Sequence, residues 1–247
     1  MKVFKKILVL LLTIVVIVSG CKKSSLKTEE VIRPKDFLSD KKYEKLVVTI
    51  VYEKGYALNA KTISGLQTFL SARLNKPDGI IFNQKEIPDQ GKRIITITDI
   101  RNIEKQFRFD FSGKSTLTAF VYVSAGDYAE SAGNAKVLGI AYGNTSCTLF
   151  GKTISSYSGG LAQPSRSMLE TTVLDHEFGH LLGLVDNGTN MVDYHRDIYN
   201  GHHCDKRNCL MYHAAETSDI VANLLEGGDV PALENFCIRD LQFNGGK

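Results

Sequence analysis

The sequence predicts a single α/β domain in which helices cover a twisted, mixed β-sheet. Apolar, β-branched segments at 46–52, 117–123 and 137–143 have the composition of strands buried in a sheet. Residues 60–74 carry apolar side chains at helical spacing and lead into a Pro-Asp-Gly turn, which predicts a helix packed on that sheet. A second apolar helical pattern extends over 167–182, and the sequence contains no internal repeat.

Shorter patterns predict the remaining elements. They are strands at 79–82, 94–97 and 147–150, helices over 98–107, 217–225 and 232–241, and a loop rich in serine and glycine over 155–167. The strand at 147–150 is predicted to return antiparallel to the strand at 137–143.

The composition is that of a folded protein without a nucleic-acid partner. Of the 247 residues, 43% are apolar and 23% are charged, which excludes a disordered chain and allows one buried core. The net charge of +3 comes from Lys2, Lys5 and Lys6, because the first 20 residues contain no acid. No basic stripe with interleaved aromatic side chains follows, so we do not expect nucleic acid to bind.

The N-terminal segment predicts export. An apolar run at 7–18 follows the three lysines, and its twelve residues are few for a spanning helix. Ser19-Gly20-Cys21 comes next and resembles the lipobox of bacterial lipoproteins, which implies a signal peptide over 1–20 and a lipid on Cys21. The alternative is a plain N-terminal membrane anchor.

The predicted export implies a location, and the composition of the chain after Cys21 implies a domain organisation. A lipid on Cys21 would hold the protein on a membrane of the cell envelope, at the outer membrane or the cell surface. Residues 21–44 are polar and lysine-rich, which predicts a flexible tether, and 45–247 form the folded domain.

The predicted helix over 167–182 carries the candidate catalytic residues. His176 and His180 are four residues apart, so both imidazoles face the same side of the helix and can bind one Zn²⁺ ion. Glu177 lies beside that face and can take a proton from water activated by the metal, the general-base step of peptide hydrolysis. The alternative is a chance motif on a surface helix, but the mostly apolar surroundings make such unpartnered polar side chains costly.

Local signals predict the ends of this helix. Ser167 and Glu170 have the spacing of a capping box, in which each side chain bonds the other residue's backbone amide. Gly183 can end the helix.

The extended motif resembles that of the metzincin clan of zinc peptidases. It reads His-Glu-x-x-His-x-x-Gly-x-x-Asp, and Met211 follows in Asn208-Cys209-Leu210-Met211-Tyr212. The resemblance implies a metzincin-like domain with an active-site helix and an irregular C-terminal part. In that part a methionine turn at Met211 forms an apolar floor beneath the metal. It also nominates Asp186 as third zinc ligand, as in snapalysin-like members.

A second resemblance, to the archaemetzincins, nominates a different third ligand. His203 is directly followed by Cys204, and Cys209, Met211 and Phe236-Cys237 come later, while Asp240 replaces that family's final cysteine. This pattern implies His203 as the zinc ligand and a second, structural zinc held by cysteines. Asp186 and His203 therefore both stay open as the third ligand, and His195 is a further possibility.

Export makes a disulfide the competing interpretation of the cysteines. Outside the cytoplasm, Cys204 and Cys209 can close a small loop, and Cys147 with Cys237 can form another bond. Four cysteines allow three pairings, so the sequence leaves the choice open.

The predicted function is zinc-dependent hydrolysis of a peptide or protein substrate at the cell envelope, with one catalytic zinc ion and Glu177 as base. The strand at 137–143 can pair with an extended substrate. The alternative is a zinc-stabilised surface domain that binds peptide or glycan without cutting it. An intact Glu177 speaks against that alternative, because a pure binder needs no base beside the metal.

Overall fold

The computed structural model describes residues 31–131 and 135–247. The strands are β1 (Lys45–Glu53), β2 (Ile80–Ile87), β3 (Ile94–Ile95), β4 (Thr116–Ser124), β5 (Asp127–Tyr128), β6 (Gly139–Tyr142) and β7 (Ser146–Phe150). The helices are α1 (Pro34–Leu38), α2 (Ala60–Ser71), α3 (Ile97–Phe107), α4 (Gly151–Ser156), α5 (Arg166–Leu181), α6 (Ile220–Gly227) and α7 (Asn235–Phe243), with a 3₁₀ helix at His213–Glu216.

The main sheet confirms the predicted fold class. Its order is β2, β1, β4, β7, β6, in which the first four strands run parallel and β6 runs antiparallel to β7 at one edge. The predicted antiparallel return at 147–150 is therefore confirmed. Strands β3 and β5 form a separate, short parallel pair.

The sheet buries side chains on both faces because successive residues of a strand point to opposite sides. In β4, Ala119 and Val121 belong to the main core, which α2 and α5 cover, whereas Phe120 and Tyr122 belong to a second cluster with residues of α3. Burial on two faces explains why this strand is almost continuously apolar.

Helices α2 and α5 approach each other closely at a glycine. A Cβ atom at Gly65 would lie 2.9 Å from Thr171 Cγ2, which is nearer than side chains normally pack. Glu170 of α5 adds a polar contact at the start of α2, where it accepts hydrogen bonds from Thr62 Oγ1 at 2.7 Å and from the backbone amide of Asn59 at 3.0 Å. These contacts fix the helix that carries the candidate site.

Of the predicted flexible tether over 21–44, residues 21–30 lie outside the described residues, and the structure differs from the prediction over the rest. Residues 34–38 form α1, and Phe37 and Leu38 are fully buried in the main core. Lys76 Nζ holds this segment by donating to the backbone carbonyls of Asp36, Ser39 and Tyr43 at 3.0, 2.5 and 2.6 Å. The lysine-rich composition predicts that this segment is solvated. The two adjacent apolar side chains, Phe37 and Leu38, bury it in the core instead.

The predicted signal peptide over 1–20 and the lipidation site Cys21 lie outside the described residues. Among the residues that are described, no helix has both the length and the apolar composition needed to cross a membrane.

Candidate metal centre

Helix α5 begins two residues earlier than its predicted cap would place it. Ser165 is the cap, and its side-chain oxygen accepts a hydrogen bond from the backbone amide of Met168 at 3.2 Å. The predicted cap at Ser167 is wrong, because this residue lies inside α5, and the carboxylate of Glu170 accepts hydrogen bonds from Thr62 of α2 and from the side chain of Arg166. The carboxylate of Glu170, which a local capping box would use, therefore makes a tertiary contact with α2.

His176 and His180 face the same side of α5, as their spacing predicts. Their Nε2 atoms lie 3.1 Å apart. His176 Nδ1 donates to the backbone carbonyl of Leu210 at 2.7 Å, which leaves Nε2 free to act as a ligand. Gly183, with φ of +82°, follows the helix in the left-handed conformation expected of a terminating glycine.

His203 joins these two histidines from the C-terminal loop. Its ring centroid lies 5.2 Å from that of His176 and 5.0 Å from that of His180. His203 Nδ1 donates to the backbone carbonyl of Asn200, so its Nε2 points into the cluster. This Nε2 atom is buried and has no hydrogen-bond partner among the described residues.

Glu216 is the fourth side chain of this group. Its Oε1 lies 3.6 Å from His203 Nε2, and the donor atoms of His176, His180, His203 and Glu216 all lie within 4.8 Å of one another. Glu216 was not predicted from the sequence, because no motif connects it to His180, 36 residues earlier. Its place directly after the methionine segment is the only sequence signal for it.

Asp186, the other predicted third ligand, lies outside this group. Its side chain is 54% exposed and accepts a hydrogen bond from Arg196 Nη1 at 3.2 Å. Val185 and Asp186 have φ of +55° and +61°, so the chain turns sharply just after the helix. This turn directs Asp186 toward Arg196 instead of the histidines.

Met211 packs directly against α5 between the two helical histidines. A Cβ atom at Gly179 would lie only 2.2 Å from Met211 Sδ, so this contact requires a glycine. The backbone amide of Tyr212 donates to the carbonyl of Cys209 at 2.9 Å, which closes a tight turn around Met211. Met211 is fully buried, and its role as a methionine turn beneath a metal stays a prediction.

Glu177 lies beside the cluster in a fully buried position. Within the described part of the chain, neither of its carboxylate oxygens has a hydrogen-bond partner. Burial raises the pKa of Glu177 well above its ordinary value, and the negative charge of Glu216 adds to the rise. Gly139 of β6 lies against this carboxylate, since a Cβ atom there would be 2.8 Å from Glu177 Oε1.

The electrostatics of the two helical histidines suit metal ligation. Burial lowers the pKa of His176 to about 4 and also lowers that of His180, so both rings are neutral near pH 7. Burial by itself would lower the pKa of His203, but the neighbouring carboxylate of Glu216 outweighs it and raises this pKa. Neutral imidazole is the form that binds metals.

The residues of the cluster fit a zinc ion. Zinc–nitrogen bonds of about 2.0–2.1 Å in a tetrahedral site place ligand atoms about 3.3 Å apart, close to the 3.1 Å between the nitrogens of His176 and His180. A divalent cation would also partner the unbonded Nε2 of His203 and offset the burial of Glu177. We name this group of His176, His180, His203 and Glu216 the histidine cluster.

A second group of potential ligands surrounds His195. His195 Nδ1 lies 3.4 Å from Cys204 Sγ and 3.9 Å from Cys237 Sγ, and Cys237 Sγ lies 3.6 Å from Cys209 Sγ. Asp240 Oδ2 accepts a hydrogen bond from His195 Nε2 at 2.8 Å and so orients the ring. We name this group of His195, Cys204, Cys209 and Cys237 the cysteine cluster.

The cysteine cluster changes the roles expected of two residues. His195, considered above as a third ligand beside His176, lies with the thiols instead. Asp240, which stands where the archaemetzincin pattern has a cysteine, supports His195 from its far side. Cys147 lies in β7 within the main core, apart from these thiols, and all four described cysteines are free. The Cys204–Cys209 disulfide stays a prediction.

Comparison with protein-family models and with curated proteins finds no match. The chain is similar to the solved structure of archaemetzincin from Methanopyrus kandleri, with a TM-score of 0.52, 15% identity, and coverage of 81% of this chain and 96% of that one. It is also similar to a zinc-dependent peptidase from Methanocorpusculum labreanum, with a TM-score of 0.46, 14% identity, and coverage of 78% of this chain and 99% of that one.

Metalloproteinase-II from Bacteroides fragilis is a further structural neighbour, with a TM-score of 0.41, 13% identity, and coverage of 84% of this chain and 54% of that one. At 15% identity, the likeness to the archaemetzincin shows that the two chains share a fold.

Alanine substitutions at His203 and Asp186 test which of the two binds the metal. His203→Ala should weaken zinc binding by more than about 100-fold, since even the loss of an outer-sphere partner costs about 10–100-fold. Asp186→Ala should leave the affinity unchanged. Chelator competition measures both, and a loss of affinity in Asp186→Ala but not in His203→Ala would contradict the geometry.

Proposed function

We propose that this protein is a zinc-dependent peptidase whose catalytic zinc is bound by His176, His180 and His203. One observation carries the proposal: three imidazoles converge beside a buried carboxylate, Glu177, that has no hydrogen-bond partner among the described residues. A binding domain gains nothing from burying such a group, whereas a general base needs an oxygen that is free to accept a proton.

The residues around the metal position have distinct roles in hydrolysis. Zinc bound there supplies Lewis-acid polarisation of the scissile carbonyl and of the attacking water. Glu177 accepts a proton from that water and delivers it to the amine that leaves. The raised pKa of Glu177 suits the first step, because a carboxylate with a higher pKa takes up a proton more readily.

Strand β6 is the proposed docking edge for the substrate. It is the last strand of the sheet and pairs on one side with β7, so its other edge can bond to an extended peptide. Gly139 at the start of β6 lies against Glu177. A peptide paired with β6 would therefore run directly past the base.

The competing function is a zinc-stabilised domain that binds peptide or glycan without cutting it. It explains the histidines, but it assigns no role to the unpartnered carboxylate of Glu177. The two functions predict different behaviour when that carboxylate is replaced.

Glu177→Gln separates the peptidase from the binding domain. The amide keeps the size of the side chain but cannot accept a proton, so hydrolysis of a peptide library should fall by about two or more orders of magnitude. Zinc content and thermal stability should be retained. His180→Ala is the matched contrast and should lose both zinc and activity. A zinc-loaded wild-type protein that binds peptides, cuts none and is indistinguishable from Glu177→Gln would falsify the peptidase.

We further propose that the cysteine cluster holds a second, structural zinc in place of the disulfide expected from export. The ligand atoms of His195, Cys204 and Cys237 lie within 4.8 Å of one another, and Cys209 Sγ lies 3.6 Å from Cys237 Sγ as the nearest candidate for a fourth ligand. Three thiols and one imidazole are a composition typical of structural zinc sites. The bond from Asp240 to the far nitrogen of His195 is the outer-sphere support that metal-bound histidines usually have.

Metal analysis decides between zinc and disulfide. The purified protein should contain two zinc ions per chain, and Cys237→Ser should lose one of them while the histidine cluster keeps its own. Thiol titration after denaturation with a chelator should then find every described cysteine free. One zinc ion together with an oxidised Cys204–Cys209 pair would restore the disulfide.

We propose the cell envelope as the location, with Cys21 as lipidated first residue of the mature protein. The lysine-flanked apolar run and Ser19-Gly20-Cys21 support this proposal. Mass spectrometry of the membrane fraction should find an N-terminal peptide that begins at a lipid-modified Cys21. An intact 1–20 segment or an unmodified soluble product would contradict it.

A further inference from the structure

We propose that Glu216 is a fourth protein ligand of the zinc in the histidine cluster, so that the resting site is closed by three imidazoles and one carboxylate. This inference rests on the zinc site proposed above and adds a residue to it. Carboxylate oxygen is an ordinary zinc ligand, with bonds of about 2.0–2.2 Å.

The position of Glu216 relative to His203 distinguishes a ligand from a supporting residue. A carboxylate that supports a metal-bound histidine contacts the ring nitrogen facing away from the metal. In His203 that nitrogen is Nδ1, and the carbonyl of Asn200 already accepts its proton. Glu216 Oε1 lies 3.6 Å from Nε2, the nitrogen that faces the metal position. Glu216 is thus on the metal side of the ring.

The separations agree with a shared metal ion. Ligand atoms of a tetrahedral zinc site lie about 3.3 Å apart. The 3.1 Å between the helical histidines and the 3.6 Å between His203 and Glu216 both lie close to this value. All four ligand atoms fall within 4.8 Å of one another, although they come from three separate segments of the chain.

The backbone holds Glu216 firmly in this position. Its carbonyl accepts a hydrogen bond from the amide of Leu138 at 2.8 Å, and the amide of Ser218 donates to the carbonyl of Lys136 at 2.8 Å. Between them, Val137 and Thr217 form an antiparallel bridge. The segment that carries Glu216 is therefore paired with the chain that leads into β6, the proposed docking edge.

A fourth protein ligand has a consequence for the enzyme. Catalytic zinc sites keep one position open for water and substrate, whereas sites with four protein ligands are closed. Glu216 would occupy the open position in the resting protein, and a substrate would have to displace it. The free energy of this displacement would lower the affinity for a substrate at the docking edge next to Glu216.

The test compares Glu216→Gln with Glu226→Gln, a matched change of an exposed carboxylate in α6. Glu216→Gln should weaken zinc binding at least about tenfold in chelator competition, while Glu226→Gln should match the wild type. The visible absorption of the cobalt-substituted protein gives a second readout. The wild-type spectrum should resist millimolar azide, because no exchangeable position is open, and the Glu216→Gln spectrum should shift. Any cobalt in the cysteine cluster contributes equally to both spectra.

The outcomes separate this inference from the proposed function. If Glu216→Gln matches the wild type in zinc affinity and in its response to azide, Glu216 is not a ligand, although the peptidase proposal survives. If His203→Ala leaves zinc binding unchanged, the zinc site itself is misassigned. Glu216→Asp, which withdraws the carboxylate by one methylene group, should show the same losses and replaces Glu216→Gln if that variant does not fold.

Discussion

The hydrogen bond from His176 Nδ1 to the carbonyl of Leu210 is the interaction on which the candidate metal centre depends. At 2.7 Å in a fully buried setting, it fixes which nitrogen of His176 faces the metal position. It also ties α5 to the C-terminal segment just before Met211. Met211 can then pack against Gly179, where a larger residue would separate helix and turn. This hydrogen bond therefore fixes both the orientation of His176 and the position of Met211 against α5.

The same C-terminal segment joins the two clusters of potential ligands. His203 belongs to the histidine cluster and the next residue, Cys204, belongs to the cysteine cluster. The backbone amide of Cys204 donates to the carbonyl of Met211 at 2.7 Å, so the loop that presents His203 is anchored on the methionine turn. A metal held by the cysteines would stiffen the loop that supplies the third histidine. The cysteine cluster would therefore stabilise the catalytic geometry without contacting the substrate.

Burying titratable side chains is the cost of this arrangement, and a bound divalent cation would offset it. Glu177 and His176 are fully buried and His180 is half-buried, and burial raises the pKa of Glu177 and lowers those of the two histidines. The protein thus keeps the imidazoles neutral and holds a carboxyl group whose proton affinity is high. Both properties are those that a zinc-dependent general-base mechanism requires.

The sequence by itself determined the parts of the protein that depend on local periodicity. The main strands follow from continuous apolar, β-branched composition, and the helix with His176, Glu177 and His180 follows from a repeat of 3.6 residues; neither signal needs a distant partner. Only the tertiary structure placed His203 rather than Asp186 in the cluster, brought Glu216 beside it, and grouped His195 with the thiols. It also moved the cap from Ser167 to Ser165 and folded residues 34–38 onto the core. Most of these depend on contacts between segments far apart in the chain, such as Glu170 with Thr62, and spacing along the sequence does not encode such contacts.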